Sequence, residues 1–251
     1  MTDSSSQPIG PLLVVGAHAF DAEVIAGALA ALWHRRGGTA VLVHVSLGER
    51  GHHTKTAQEY ARQKRDEALA AAALLGAEAR FLEQPDTEPA GVSAVGEQIA
   101  AVVRDVRPAT VVTHWRGSWH PDHVATHQAT MRGLLLGGLG AAAEPRRAHA
   151  PRELLFGENW EDLDDFRPDT YLDVTEAFDA WQAALDAYEI GRIPAPGFPY
   201  RDYYTSLARM RGCVIGTGYA EAFLSAPVET RAGLGLALRD RWQAAQGSGS
   251  P

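Results

Sequence analysis

The sequence predicts an α/β fold of three layers, in which helices cover both faces of a mostly parallel sheet. Apolar runs rich in β-branched residues alternate along the chain with longer segments of helical periodicity. Strands that are apolar throughout are typical of a sheet buried on both faces, and the helical segments between them supply the crossovers that parallel strands need. In such a sheet, ligands bind beyond the carboxyl ends of the strands. We therefore expect functional residues in the segments that follow the strands.

The individual elements follow from this alternation in chain order. A strand, a helix and a second strand are predicted over residues 11–18, 21–36 and 39–46, and Gly37-Gly38 ends the helix between the strands. The predicted elements then continue as a helix over 56–75, a strand over 79–82, a helix over 92–104 and a strand over 109–113. Beyond residue 140 the pattern weakens, and it predicts a strand over 153–156 and helices over 175–190 and 202–210. The Pro- and Gly-rich loop 194–199, which has aromatic neighbours, is interpreted either as a pocket wall or as a plain surface connection.

Composition limits the classes of partner. The 251 residues have 45% hydrophobic composition and no central linker, which predicts one domain over 1–251 with disordered ends at 1–10 and 246–251. A net charge of −8 opposes binding to nucleic acid or to an anionic membrane, so we expect a small-molecule substrate. The sequence has no leader pattern and no apolar run of membrane-spanning length, which favours a cytoplasmic location. A homo-oligomer stays open, and the single Cys213 is expected to be a buried, small hydrophobic side chain.

Two motifs that contain histidine follow predicted strands. His18 and Asp21 stand where the first strand gives way to a helix, and His120-Pro121-Asp122-His123 follows the strand over 109–113, with His127 further on. If both strands are parallel, the motifs lie at one edge of the sheet and can meet. Imidazole and carboxylate suit Zn²⁺ and its first-row neighbours, and three protein ligands leave a position for water or substrate. The motifs therefore predict metal-assisted chemistry, the alternative being a set of helix caps and hydrogen-bonded histidines.

These motifs and their order resemble the LmbE-like (PIG-L) de-N-acetylase family. The resemblance is carried by the strand followed by Ala-His-x-x-Asp, by residues 46–51 (Ser-Leu-Gly-Glu-Arg-Gly), by residues 67–76 and by His-Pro-Asp-His, and it reaches residues 216–223. The family consists of Zn²⁺-dependent hydrolases of N-acyl groups, commonly on glucosamine conjugates, and of related amides in low-molecular-weight thiol metabolism. The resemblance implies a Rossmann-like, LmbE-like fold, a Zn²⁺ cofactor and hydrolysis of an amide C–N bond.

The resemblance also implies roles for individual residues. By it, His18, Asp21 and His123 are the metal ligands. His120 would stabilise the developing oxyanion or protonate the leaving amine, and Asp122 would orient His120.

Two further positions come from the same resemblance. Asp86, in the turn after the third strand, would face polar groups of the substrate. Lys64 stands where the family usually has arginine, with Arg65 beside it, and these two basic residues either contact the substrate or form a solvated helix face.

Position 20 departs from the family pattern. The first motif of the family reads His-Pro-Asp-Asp-Glu, with the first aspartate as general base, whereas residues 18–22 read His-Ala-Phe-Asp-Ala. A phenyl ring accepts no proton, and positioned proton transfer is typically worth about 10² to 10⁴ in rate. The substitution leaves three hypotheses open: a slow hydrolase, a hydrolase with a substitute base, or a metal-binding homologue with another reaction or a regulatory role. A nucleotide-binding protein is disfavoured because no G-x-G-x-x-G follows the first strand.

Several residues are candidates for the missing base. They are Glu23, which equally suits the first turn of a helix, Glu49, which is also a candidate substrate contact, and Asp122 or His120 in a double role. Phe20 itself is a candidate substrate contact, because its ring could pack on an apolar or aromatic part of the substrate, the alternative being that it packs on a neighbouring wall.

Overall fold

The computed structural model describes residues 9–139, 148–162, 164–192 and 198–234. Its strands are β1 (Leu12–Gly16), β2 (Ala40–Ser46), β3 (Glu78–Gln84), β4 (Thr110–His114), β5 (Glu153–Gly157), β6 (Thr170–Asp173) and β7 (Ala220–Ser225). They form one seven-stranded sheet in the order β3-β2-β1-β4-β5-β7-β6. Neighbours among β1 to β5 pair in parallel, and β7 is antiparallel to both β5 and β6. The predicted α/β class with a mostly parallel sheet is confirmed.

Helices cover both faces of this sheet. They are α1 (Asp21–Arg35), α2 (Ala57–Leu75), α3 (Val92–Val106), α4 (Pro121–Leu139), α5 (Phe178–Ala187), α6 (Glu189–Arg192), α7 (Tyr200–Ile215) and α8 (Val228–Gly233). A capping box between Thr56 and Glu59 starts α2, and Gly76, in the left-handed conformation, ends it. None of the described helices combines the length and the apolar character needed to cross a bilayer.

The two cores lie on opposite faces of the sheet. Every residue of β1 is buried, with Leu12 and Val14 in the cluster that includes α1, α2 and α5, and Leu13 and Val15 in the cluster that includes α3 and α4. This alternation is the period of two of a β-strand, and burying each such side chain contributes roughly 1.5–3 kcal/mol. The central strands therefore form a rigid base for the loops at their carboxyl ends.

Helix α1 is interrupted near its start and is anchored there by β7. Ala26 has a φ of −160°, which breaks the helical run after its first turn. The Glu221 carboxylate of β7 accepts hydrogen bonds from the backbone N–H groups of Ala28 (3.0 Å) and Leu29 (2.7 Å). These are orphan donors of a restarted helix, and the buried carboxylate satisfies them as a cap would.

The structure differs from the predictions made from the sequence in three places. The sequence did not predict strands β6 and β7, and the helix predicted over 175–190 is divided at Tyr188, whose ψ of 139° is extended. Cys213 is exposed on α7 rather than buried, because it lies on the solvent side of that helix. The terminal segments expected to be disordered lie, apart from residues 9 and 10, outside the described residues, and so does 194–197 of the Pro-rich loop.

Candidate metal centre

The two histidine motifs meet where the strand order of the sheet reverses. β1 lies between β2 and β4, so the crossovers that leave β1 and β4 run to opposite sides. The segment after β1 carries His18 and Asp21, and the segment after β4 carries His120 and His123. Ligands of open α/β sheets bind in the crevice at such a reversal point. The convergence expected from the sequence is therefore present.

The donor atoms of three side chains converge at this edge of the sheet. Oδ2 of Asp21 lies 3.1 Å from Nδ1 of His18 and 3.2 Å from Nε2 of His123. The nearest donor atoms of the three residues all lie within 4.8 Å of one another, so the group could hold a metal ion. Two imidazoles and one carboxylate are a donor set that Zn²⁺ accepts, and this set leaves a coordination position open.

The opposite ring nitrogens of both histidines face carboxylates. Nε2 of His18 lies 3.2 Å from Oδ2 of Asp122 and 3.4 Å from Oδ1 of Asp86, and Nδ1 of His123 lies 2.9 Å from Oε2 of Glu161. Histidines that bind metals commonly donate their second N–H to such a partner, which fixes the tautomer and the ring orientation. The arrangement therefore fits a metal centre on chemical grounds that the sequence did not show.

The carboxylates favour protonated histidines while no cation is bound. Burial lowers the pKa of His18, but its hydrogen bonds to Asp122, Asp21 and Asp86 outweigh burial and raise the pKa well above the ordinary value. Burial likewise lowers the pKa of His123, and contacts with Asp21 and Glu161 raise it to about 9. A metal ion would have to displace these protons, so its affinity should depend on pH.

His114, at the end of β4, is a neighbour of the centre that sequence reasoning missed. It is fully buried, and its Nε2 accepts a hydrogen bond from the backbone N–H of Ala17 at 3.0 Å. Burial and the adjacent positive His123 lower the pKa of His114 to about 3, so this ring stays neutral. It stacks on His123 with the ring centres 4.0 Å apart and thereby supports that ring. Its place inside an apolar strand gave no signal of such a role.

His120 presents a hydrogen-bond donor to the centre. Its Nδ1 accepts the backbone N–H of Asp122 at 3.3 Å, and its ring stacks on His123 with a centre distance of 4.7 Å. Burial and the charges of His123 and His18 lower the pKa of His120, so the ring is neutral near pH 7 with its proton on Nε2. Contrary to expectation, the Asp122 carboxylate does not orient His120: it contacts Nε2 of His18 and accepts the Thr87 backbone N–H at 3.1 Å.

Phe20 occupies a constrained position at the start of α1. Its φ of 103° lies in the region that favours glycine, which indicates backbone strain beside the ligands. Its ring is buried against Tyr188 and Tyr200, with centre distances of 5.1 and 5.7 Å.

The tight turn between β1 and α1 also needs Gly16, because a Cβ there would lie 2.6 Å from the backbone nitrogen of Ala22. Gly16 therefore lets α1 approach the end of β1.

Lys64 is buried beneath this turn. Its Nζ donates to the carbonyl of Ala19 at 2.6 Å and lies 5.0 Å from the ring centre of Tyr188 and 5.8 Å from that of Phe20. Burial lowers the pKa of Lys64, and the nearby Glu67 partly offsets this effect. The solvated-face interpretation is thus wrong for Lys64, whereas Arg65 does pair with Glu83 at the surface.

A cleft of about 350 Å³ opens over the centre. Of the predicted site residues, those that line it are His18, Phe20, Asp21, Lys64, Asp86, His120 and His123. Glu161 also lines the cleft, although its sequence context gave no reason to choose it among the acidic residues of 158–165. His127 lies outside the ligand group, because its Nδ1 donates to the carbonyl of His114.

Besides Asp122, two candidate bases lie outside this lining. Glu23 is fully buried; its carboxylate accepts the Tyr188 hydroxyl at 2.8 Å and faces His44 at 3.6 Å. Glu49 accepts the backbone N–H of Asp86 at 2.9 Å, so it shapes the turn that carries Asp86. The structure therefore argues against Glu23 as a substitute base. Glu49 stabilises the turn that carries Asp86, which argues against a direct contact of Glu49 with the substrate.

Fold and site together define an α/β protein with a candidate divalent-metal centre at the carboxyl edge of its sheet. Residues 13–134 match the PIG-L family, described as GlcNAc-PI de-N-acetylase. The chain belongs to this family, as the order of its motifs indicated.

Relatives of this chain include enzymes of two kinds. A 4-oxalmesaconate hydratase of Pseudomonas putida is 30% identical over 209 residues, which cover 80% of this chain and 79% of the relative. A 1D-myo-inositol 2-acetamido-2-deoxy-alpha-D-glucopyranoside deacetylase of Thermobifida fusca is 29% identical over 170 residues, which cover 56% of this chain and 58% of the relative. The chain spans about half the length of the curated deacetylases that it matches.

Two solved structures share the fold of this chain. The crystal structure of 4-carboxy-2-hydroxymuconate hydratase from Pseudomonas putida has a TM-score of 0.78 and 26% identity, covering 87% of this chain and 96% of that one. The N,N'-diacetylchitobiose deacetylase of Pyrococcus horikoshii, with a TM-score of 0.71 and 18% identity over 91% of this chain and 86% of its own, shares the fold.

Proposed function

We propose that this protein is a zinc-dependent hydrolase that removes an N-acyl group from a small substrate, such as an N-acetylglucosamine-like or thiol conjugate. The observation that carries the proposal is the group of donor atoms from His18, Asp21 and His123, which lie within 4.8 Å of one another at the base of an open cleft. A divalent ion bound there would polarise the amide carbonyl and lower the pKa of a coordinated water from about 15.7 to about 7.

His120 suits the role of oxyanion donor. Its Nδ1 is engaged by a backbone N–H, so the neutral ring offers Nε2–H to the cleft. A preorganised donor of this kind stabilises negative charge as it develops on the carbonyl oxygen, and removing one typically costs about 10² to 10³ in rate. His120 need not change its protonation state to act in this way.

Proton removal from water is the step that this chain supports least. Position 20, where the family places its base, holds a phenyl ring. The other carboxylates that line the cleft besides Asp21 are Asp86 and Glu161, and each already faces an N–H of a ligand histidine. We infer a rate of amide hydrolysis below that of a family member with the base, by up to the roughly 10² to 10⁴ of positioned proton transfer.

A second candidate function is hydration of a small anionic acid. It is favoured by Phe20, by the hydratase relative, whose match covers most of both chains, and by Arg50, an exposed basic residue in the cleft lining. Hydration leaves no amine to be protonated. Hydration therefore requires different proton transfers from amide cleavage. The aspartate that the family has at position 20 could be dispensable for hydration.

One experiment compares both reactions in the same zinc-loaded protein. Release of acetate from an N-acetylglucosamine conjugate and consumption of 4-carboxy-2-hydroxymuconate are measured for the unaltered chain, Phe20→Asp and the matched control Phe20→Leu. A large gain in acetate release with Asp but not with Leu supports a hydrolase that lacks its base. Loss of hydration with Asp supports the hydratase. Failure of the protein to bind added zinc, together with rates that His18→Ala leaves unchanged, would refute both functions.

A further inference from the structure

We propose that the cleft contains a subsite for a ring of the substrate, formed by Phe20, Tyr200 and Trp160 and completed at the mouth by Trp119. This proposal rests on the proposed function of the same site and names the class of substrate: a molecule with a metal-seeking polar group and, next to it, a ring with an apolar face.

The aromatic side chains form a continuous band along the cleft. Phe20, Tyr200 and Trp160 all line it. The ring centre of Tyr200 lies 5.7 Å from that of Phe20 and 6.4 Å from that of Trp160. Phe198 stacks on Trp160 at 4.1 Å with an angle of 22° between the rings, so the indole is held in place by a neighbour. Rigid aromatic surfaces of this kind bind ring faces with little loss of conformational freedom.

Trp119 extends the band to the mouth of the cleft. Its side chain is 54% exposed, which is a large apolar surface to leave in water. The centre of its ring lies 5.6 Å from that of His120 and 6.1 Å from that of Trp160, and both of these residues line the cleft. A ligand ring on Trp119 and Trp160 would therefore lie beside the histidine that donates to the reacting group.

The strand order separates this apolar wall from a polar one. Arg50, Asp86 and Thr87, which also line the cleft, follow β2 and β3 on one side of β1. Trp119 and Trp160 follow β4 and β5 on the other side. The metal ligand His18 follows β1 and stands between the two walls. A substrate with polar groups on one side and a ring on the other matches this division.

Hydroxamates test the subsite without knowledge of the natural substrate, because the hydroxamate group chelates divalent metals. Binding of acetohydroxamate, benzohydroxamate and cyclohexanecarbohydroxamate to the zinc-loaded protein is measured by titration calorimetry. Benzohydroxamate or its saturated counterpart is expected to bind about tenfold or more tightly than acetohydroxamate, since a stacked and buried ring adds at least this much affinity. The difference in affinity between the two ring-bearing hydroxamates shows whether the subsite prefers an aromatic ring or a saturated ring, such as that of a sugar.

Variants locate the effect. Trp119→Ala and Trp160→Ala should each reduce the advantage of the ring at least about threefold and leave the affinity for acetohydroxamate unchanged. Trp33→Ala, at an indole that donates to the carbonyl of Gly10 before β1, is the matched control and should change neither. Trp119→Ala alters an exposed side chain, so it keeps the test valid if Trp160→Ala fails to fold.

The outcomes separate this proposal from the proposed function. Equal affinity for all three hydroxamates, or a ring advantage that survives both tryptophan variants, overturns the subsite and leaves the metal centre standing. No binding of any hydroxamate overturns the metal centre and the subsite with it.

Discussion

Loss of the Glu161 carboxylate is expected to weaken zinc binding because this carboxylate faces the second ring nitrogen of a candidate ligand, His123, and favours a proton there. Its Oε2 lies 2.9 Å from Nδ1 of His123, in a side chain only 9% exposed. When Nδ1 carries the proton, Nε2 keeps its lone pair, which faces the candidate metal position beside Oδ2 of Asp21. Removing a partner of this kind typically costs about 10- to 100-fold in metal affinity, or about 1.4–2.7 kcal/mol. Glu161→Ala should show this loss, and Glu161→Gln, which keeps an acceptor, a smaller one.

The loss of zinc affinity in Glu161→Ala should depend on pH in a defined direction. Contacts that include Glu161 raise the pKa of His123 to about 9 against the effect of burial, so a proton competes with zinc at pH 7. Two pH units below such a pKa, this competition reduces the affinity about 100-fold. Glu161→Ala lowers that pKa and thereby relieves part of the competition at pH 7. The loss caused by the substitution should therefore grow as the pH rises from 7 to 9.

Zinc affinity is measured by competition with a chromophoric chelator in buffered zinc, with circular dichroism to verify the fold. The matched control is Asp162→Asn, since Asp162 is the neighbouring acidic residue and its Oδ2 accepts the Asn159 backbone N–H instead of contacting His123. Equal affinity of Glu161→Ala and the unaltered protein at pH 9, or an equal loss in Asp162→Asn, would refute the positioning role.

Three further outcomes are expected. His120→Ala should lower kcat about 10² to 10³ with the zinc content unchanged, because it removes an oxyanion donor; steady-state kinetics and metal analysis check this, and a change in KM alone would contradict it. Gly16→Ala should lower both Tm and zinc content, because its Cβ would lie 2.6 Å from a backbone nitrogen of α1, and unchanged values would contradict the close approach. Hydrogen bonds from Gln63 and Lys55 lower the pKa of Glu189 to about 2 from 4.5, so the stability it adds is present above pH 4.5 and is lost as the pH falls towards 2. Urea unfolding should show Glu189→Gln less stable by about 1 kcal/mol or less at pH 7 and equally stable near pH 2, and a difference that does not depend on pH would oppose this assignment.

The sequence predicted those parts of the fold and site that depend on local pattern. The apolar strands, the helices between them and the convergence of His18 with His123 follow from periodicity and from the rule for parallel sheets. Strand β6 was not predicted because its four residues are not an apolar run and are stabilised by pairing with β7. Its place depends on tertiary contacts.

The carboxylates that surround the candidate ligands could not be assigned from sequence. Glu161 stands in an acidic stretch, and only the path of the loop after β5 decides which of its carboxylates reaches His123. Asp122 was expected beside His120, its neighbour in the motif, but the first turn of α4 directs its carboxylate to His18. Sequence motifs thus identify which groups are present, and backbone geometry decides which atoms they meet.

The family match ends at residue 134, whereas Trp160, Glu161, Tyr200 and Glu221 all come later in the chain. The candidate metal ligands thus lie within the matched segment, together with Phe20, His120 and Asp122, whereas Glu161, Trp160 and Tyr200 lie after it. Glu161 faces His123, and Trp160 and Tyr200 line the cleft. Substitutions after residue 134 could therefore alter the aromatic lining of the cleft and leave the candidate metal ligands unchanged.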